Sequence, residues 1–173
     1  MTKRASLVAF LAAVVIQALI LIAVPARKVF TRATGKTVVL KVQPVDPYSV
    51  LSGYYATLGF DISRVAAFPN AQVFPDGQIY AVIARGDDGI WKPAVLESQL
   101  PTNLPDNRVA ILGKLQGGLI TYGIEEFYIP EAQRESIAED LRQNQEKARV
   151  EVKVDRSGHA ALERLIIEDR VYE

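Results

Sequence analysis

The sequence predicts a mostly β (α+β) fold, in which an N-terminal transmembrane helix precedes a β-sandwich or barrel-like domain carrying one surface helix. Three observations lead there. Residues Ala5–Val24 are an apolar run broken only by Ser6 and Gln17. Beyond Gly35, short stretches alternate apolar and polar residues with a period of two, separated by Gly, Pro, Asn and Asp clusters, as half-buried strands joined by turns do. Residues 131–147 drop that alternation and space their apolar side chains as a helix does. The expected organisation is an anchor over 1–25, a connector over 26–35 and a globular β domain over 36–173.

The anchor comes first. At about 1.5 Å per residue, a helix over Ala5–Val24 covers roughly 30 Å, the hydrocarbon thickness of a bilayer. Pro25 is expected to end it, with Arg27 and Lys28 snorkelling to the headgroups. The rival is a cleaved signal peptide, with Lys3 and Arg4 as its basic end and Val24-Pro25-Ala26 as its cleavage site. Such peptides use an apolar region of only about 7–15 residues, so a retained anchor is the reading taken. Topology has two answers. Arg27, Lys28, Arg32 and Lys36 outnumber Lys3 and Arg4, which taken literally puts the domain in the cytoplasm. A short basic tail leading directly into an apolar run is instead the layout of a signal anchor, and it places the domain outside; the latter is preferred.

The strands follow in order. Lys36–Gln43 sets Val38, Leu40 and Val42 on one face. A strand is expected over Tyr54–Ile62. Gln78–Arg85 and Ile90–Glu97 flank the turn Gly86–Gly89, and Pro93 confines the second to an edge or an interrupted strand. Arg108–Leu115 and Leu119–Ile129 meet at Gly117-Gly118, a hairpin signal. The helix over 131–147 starts after Pro130 and has a thin apolar stripe (Ile137, Leu141, Ala148), so it should lie on the surface. A terminal hairpin turns at Asp155–Gly158, with Val150, Val152 and Val154 facing inward.

Composition narrows the chemistry. Apolar residues make up 49% and charged residues 23%, enough to build a core. Beyond Val24, 18 basic residues face 20 acidic ones, so no overall charge favours a nucleic-acid partner. The absence of cysteine excludes disulfides, thiol catalysis and thiolate metal sites, and the single histidine, His159, excludes a histidine-based zinc site. No cofactor is expected. Trp91, Tyr80 and Tyr122 suit cross-strand packing or the lining of a groove. An anchor before a β-rich domain is also similar to type I signal peptidases. Ser49 and Ser52 lie in the region of their nucleophile, and Lys92 or Lys114 could supply a base. Their Ser-Met-x-Pro motif fails here, because Ser49 is followed by Val50-Leu51-Ser52.

Gly53, Tyr55 and Leu58, with the lead-in Pro44-Val45-Asp46-Pro47 and the later Tyr122–Glu131, resemble the signature of the GDYXXLXY family of bacterial membrane-anchored proteins. Tyr54 stands where that signature has Asp, and Phe60 where it has its final Tyr. The resemblance implies a membrane-tethered domain without an assigned biochemical function, encoded near or fused to multi-pass membrane proteins. On a strand from Tyr54, the residues Tyr54, Ala56, Leu58 and Phe60 share one face. With Asp46 and Pro47 fixing the preceding loop, the signature reads as a fold nucleus rather than an active site. The expected function is a tethered extracytoplasmic interaction or assembly module beside a multi-pass membrane protein, with Gln17 available for a helix contact in the bilayer. The expected location is the bacterial inner membrane, with the domain periplasmic. A Ser/Lys hydrolase and a ligand-binding periplasmic domain are the alternatives.

Overall fold

An apolar helix followed at once by an alternating stretch forces the chain from one hydrogen-bonding pattern to another within a few residues. The computed structural model describes residues 2–43, 51–52, 55–72 and 74–172. Helix α1 spans Thr2–Thr34, 33 residues or roughly 50 Å, and is long and apolar enough to cross a membrane. Pro25 lies inside it. The expectation that Pro25 ends the helix is therefore corrected: residues 26–34 of the stretch read as a connector are its last turns. A proline ring removes one backbone bond and crowds the carbonyl four residues back, here that of Leu21. At the edge of an apolar segment that carbonyl can be satisfied by water or a neighbouring group, so the helix continues.

Gly35 then lets α1 abut the sheet, since a side chain there would meet the Thr31 carbonyl at 2.5 Å and the Val154 amide at 2.9 Å. The first strands are β1 (Lys36–Gln43), β2 (Leu51–Ser52), β3 (Tyr55–Thr57) and β4 (Gly59–Phe60). Two 3-10 turns lead on to β5 (Gly77–Arg85), β6 (Trp91–Glu97), β7 (Arg108–Gln116), β8 (Leu119–Thr121) and β9 (Glu126–Tyr128). Helix α2 (Arg134–Asn144) lies between single 3-10 turns over Glu131–Gln133 and Gln145–Lys147. The chain closes with β10 (Ala148–Val154), β11 (Ala160–Ile167) and β12 (Arg170–Tyr172).

These strands form antiparallel sheets of order β12-β11-β10-β1-β4, β2-β3-β9 and β6-β5-β7-β8, curled as a half-barrel around one hydrophobic core. The register of β1 on β10 sets Val38 opposite Val152 and Leu40 opposite Val150, Val42 pairs with Phe60 of β4, and all of these with Val154 are buried. The stretch from Tyr54 is not one strand. At Leu58, whose amide donates to the Glu125 carbonyl, the chain leaves β9 and joins β1. Ala56, Leu58 and Phe60 stay buried across the switch. Leu119–Ile129 also divides, at a turn where the Glu125 carboxylate accepts the amides of Tyr122 and Gly123. Pro93 sits on edge strand β6, next to the register shift opposite Val82 and Ile83. Helix α2 buries Ile137 and Leu141, one turn apart, and is clamped to β12. There the Asp140 carboxylate accepts two bonds from Arg170, each 2.8 Å, and one from the Tyr172 hydroxyl.

The terminal hairpin turn reaches across to a second sheet. Strand β8 covers β7 only over Lys114–Gln116, so the Leu112 amide finds no partner there. The Gly158 carbonyl accepts it at 2.8 Å. Gly158 has φ +87°, and a Cβ on it would sit 3.0 Å from the Leu112 nitrogen and 3.3 Å from the Ala110 oxygen. Gly158→Ala should therefore destabilise the domain by about 1–2 kcal/mol from the left-handed backbone alone, with more from the contact. Denaturant unfolding followed through the fluorescence of the buried Trp91 reads this, and an unchanged midpoint would show the turn to be free of that constraint.

Candidate functional site

The last turns of α1 carry both apolar and polar groups, and the polar ones fix the helix to the domain. Thr31 is 1% exposed, and its hydroxyl donates to Asp155 Oδ2 at 2.7 Å. The Arg32 guanidinium donates to the Leu162 carbonyl at 2.9 Å. The other oxygen of Asp155 accepts the amides of Ser157 (2.9 Å) and His159 (3.1 Å), so a single carboxylate shapes the hairpin turn and holds the helix. Burial by itself would raise its pKa. The bonds from Thr31, Ser157 and His159, with the nearby imidazole 3.5 Å away, outweigh that and hold it below the usual carboxylate range.

Fixed in this way, α1 forms one wall of two cavities. The larger, about 1110 Å³, lies between Lys28 and Arg32 of α1, Tyr55 and Tyr128 of the paired strands β3 and β9, and Glu163 and Arg164 of β11. Tyr55 and Tyr128 are cross-strand partners at 5.7 Å between ring centroids, edge to face, and are 46% and 58% exposed. Two solvated tyrosines in an edge-to-face pair are a ready apolar contact with polar tips. The smaller cavity, about 450 Å³, lies between Arg27, Lys28 and Thr31 of α1 and Lys114, Tyr122 and His159 of the domain. The Tyr122 hydroxyl donates inward to the Ile62 carbonyl at 2.5 Å, and burial pushes its pKa far up, so it is a neutral donor. A third groove, of about 770 Å³, opens at the far end of β1 and β10, and there Lys92 and Lys147 are paired with Asp88 and Glu168.

The family described as GDYXXLXY protein matches the chain over residues 17–165. The chain belongs to the GDYXXLXY family. No curated protein and no solved structure matches it.

The signature of the GDYXXLXY family divides between core and surface. Leu58 and Phe60 are in the core, whereas Tyr55 stands on the wall of the larger cavity. Asp46, Pro47, Ser49, Gly53 and Tyr54 lie outside the described residues. Ser52 falls on β2, opposite Tyr55. A Ser-Lys pair needs a desolvated lysine of lowered pKa. Lys114 is exposed, and Lys92 is exposed and held above its ordinary value by its bond to Asp88. Among the described residues no group of three His, Asp or Glu could hold a metal ion. Gln17 sits on α1 within the apolar run, about 40° around the helix from Thr31. Sequence reasoning passed over Thr31, Asp155 and Tyr128. For the last there was a signal, an aromatic-rich stretch able to pair with the signature strand.

Because the pKa of Asp155 is lowered on folding, its contribution to stability is complete above its unfolded value, about 3.9, and is lost as pH falls through the folded value. Acid unfolding below about pH 4 should therefore be shallower in Asp155→Asn than in the parent. Superimposable acid limbs would remove the role of this carboxylate.

Proposed function

We propose that this protein is a membrane-tethered, extracytoplasmic interaction or assembly module that works beside a multi-pass membrane protein of the bacterial inner membrane, without catalysis of its own. The observation that carries this reading is the junction of α1 with the domain. The Thr31–Asp155 and Arg32–Leu162 bonds hold the exposed Tyr55–Tyr128 pair beside the emerging helix. A partner spanning the same bilayer can then engage helix and groove together, each contact raising the effective concentration for the other. Gln17 supports the same face of the helix. An amide in hydrocarbon gains from a partner, and Ala13 and Ala9, one and two turns back, permit close approach. Lys3 and Arg4 leading directly into the apolar run support an external domain, since the cations after the span count for little when a long domain translocates largely regardless of its charge.

The test is purification of tagged full-length protein in mild detergent, with mass spectrometry of what accompanies it and an anchor-exchanged control. A stoichiometric multi-pass protein should co-purify and be lost on anchor exchange. Gln17→Leu should leave insertion intact while lowering that recovery. Tyr55→Ala with Tyr128→Ala should weaken the pairing about tenfold, the effect of losing roughly 1.4 kcal/mol at an aromatic anchor. A protein recovered alone in its native anchor would overturn the proposal.

A further inference from the structure

The smaller cavity differs from the other two in its charge. Arg27 and Lys28 of α1 and Lys114 of β7 line it, and no carboxylate among the described residues does. The side chains of all three cations are without a hydrogen bond or ion pair among the described residues. In the far groove, by contrast, Lys92 and Lys147 are paired, and in the larger cavity Arg32 is bonded to Leu162 and Arg164 to Glu151. Asp155 touches two lining residues of the smaller cavity, Thr31 and His159, but its oxygens are already occupied by Thr31 and by backbone amides. The rest of the lining includes apolar surface from Leu112, Ala160 and the ring of Tyr122, whose hydroxyl points away to Ile62.

Position adds a second, independent argument. With Ala5–Val24 in hydrocarbon, Arg27 and Lys28 follow Val24 by three and four residues, about 5–6 Å along the helix. The headgroup layer on each face of a bilayer is roughly 5–7 Å thick. The cavity therefore opens at the height of lipid phosphates.

We propose that this pocket binds the headgroup of an anionic phospholipid. Arg27, Lys28 and Lys114 take the phosphate, and the apolar lining takes the adjoining glycerol and first acyl carbons. Three cations with neither an ion pair nor a lining carboxylate among the described residues suit a net negative headgroup and disfavour one that carries its own amine. The apolar lining favours a lipid over a soluble phosphate. The site goes beyond the protein-partner reading and does not depend on it.

The experiment is native mass spectrometry of full-length protein in a non-ionic detergent, titrated with short-chain phosphatidylglycerol, with phosphatidylcholine of the same chain length, and with glycerol 3-phosphate. Phosphatidylglycerol should bind at least tenfold more tightly than either of the others. Arg27→Gln with Lys114→Gln should weaken it at least tenfold, whereas Arg27→Lys with Lys114→Arg should keep it. Lys41→Gln with Arg149→Gln removes the same charge at the far groove and should change it less than twofold. Equal loss from the two charge-removing pairs would reduce the effect to net charge and overturn the site. Binding of glycerol 3-phosphate as tight as that of phosphatidylglycerol would overturn the lipid assignment, and equal binding of phosphatidylcholine would overturn the anionic one.

Discussion

The hydrogen bond from Thr31 to Asp155, with that from Arg32 to the Leu162 carbonyl, joins what would otherwise be two independent bodies, an apolar helix and a β domain. A hydroxyl buried to 1% exposure must have a partner, and a carboxylate taken from water needs several. Each meets the need of the other, and the Ser157 and His159 amides complete the set. The same turn passes its Gly158 carbonyl to Leu112 on β7. One turn of four residues thus links α1, the five-stranded sheet and the four-stranded sheet. Both cavities beside α1 owe their shape to that linkage, since each has the helix as a wall.

Much of the domain was legible because its strands obey simple periodicity. Val38, Leu40 and Val42, and Val150, Val152 and Val154, read as inward faces and are buried. Gly117-Gly118 read as a hairpin and closes β7 on β8 with φ values of 58° and 81°. The illegible parts have physical reasons. The change of partner at Leu58 leaves alternation untouched, so no pattern marks it. Pro25 carries a strong breaking signal, but the signal reports a missing donor rather than whether anything else satisfies the freed carbonyl. Strand β12 has three residues, and only Tyr172 among them is buried.

The candidate site was harder still to read. Tyr55 and Tyr128 are separated by about half of the domain in sequence and meet through the register of β3 on β9. Arg27 and Lys28 meet Lys114 only because the hairpin turn draws β7 towards the helix. The signature stretch read as a fold nucleus through Leu58 and Phe60, whereas its Tyr55 belongs to a surface. A strand whose neighbours point to opposite faces can serve both purposes, packing with one and contacting a partner with the other. This explains how a short motif can be structural and functional together.

Rigidity between helix and domain is the central claim, and the chain's lack of native cysteine makes it directly measurable by spin labelling. The measurement is the distance distribution, by pulsed electron resonance, between labels on Leu21→Cys and Val171→Cys, both exposed positions, in full-length protein in a bilayer. A rigid junction gives one narrow distribution that broadens when Thr31→Val and Asp155→Asn are added. A broad distribution without those changes, or a narrow one that survives them, would contradict it.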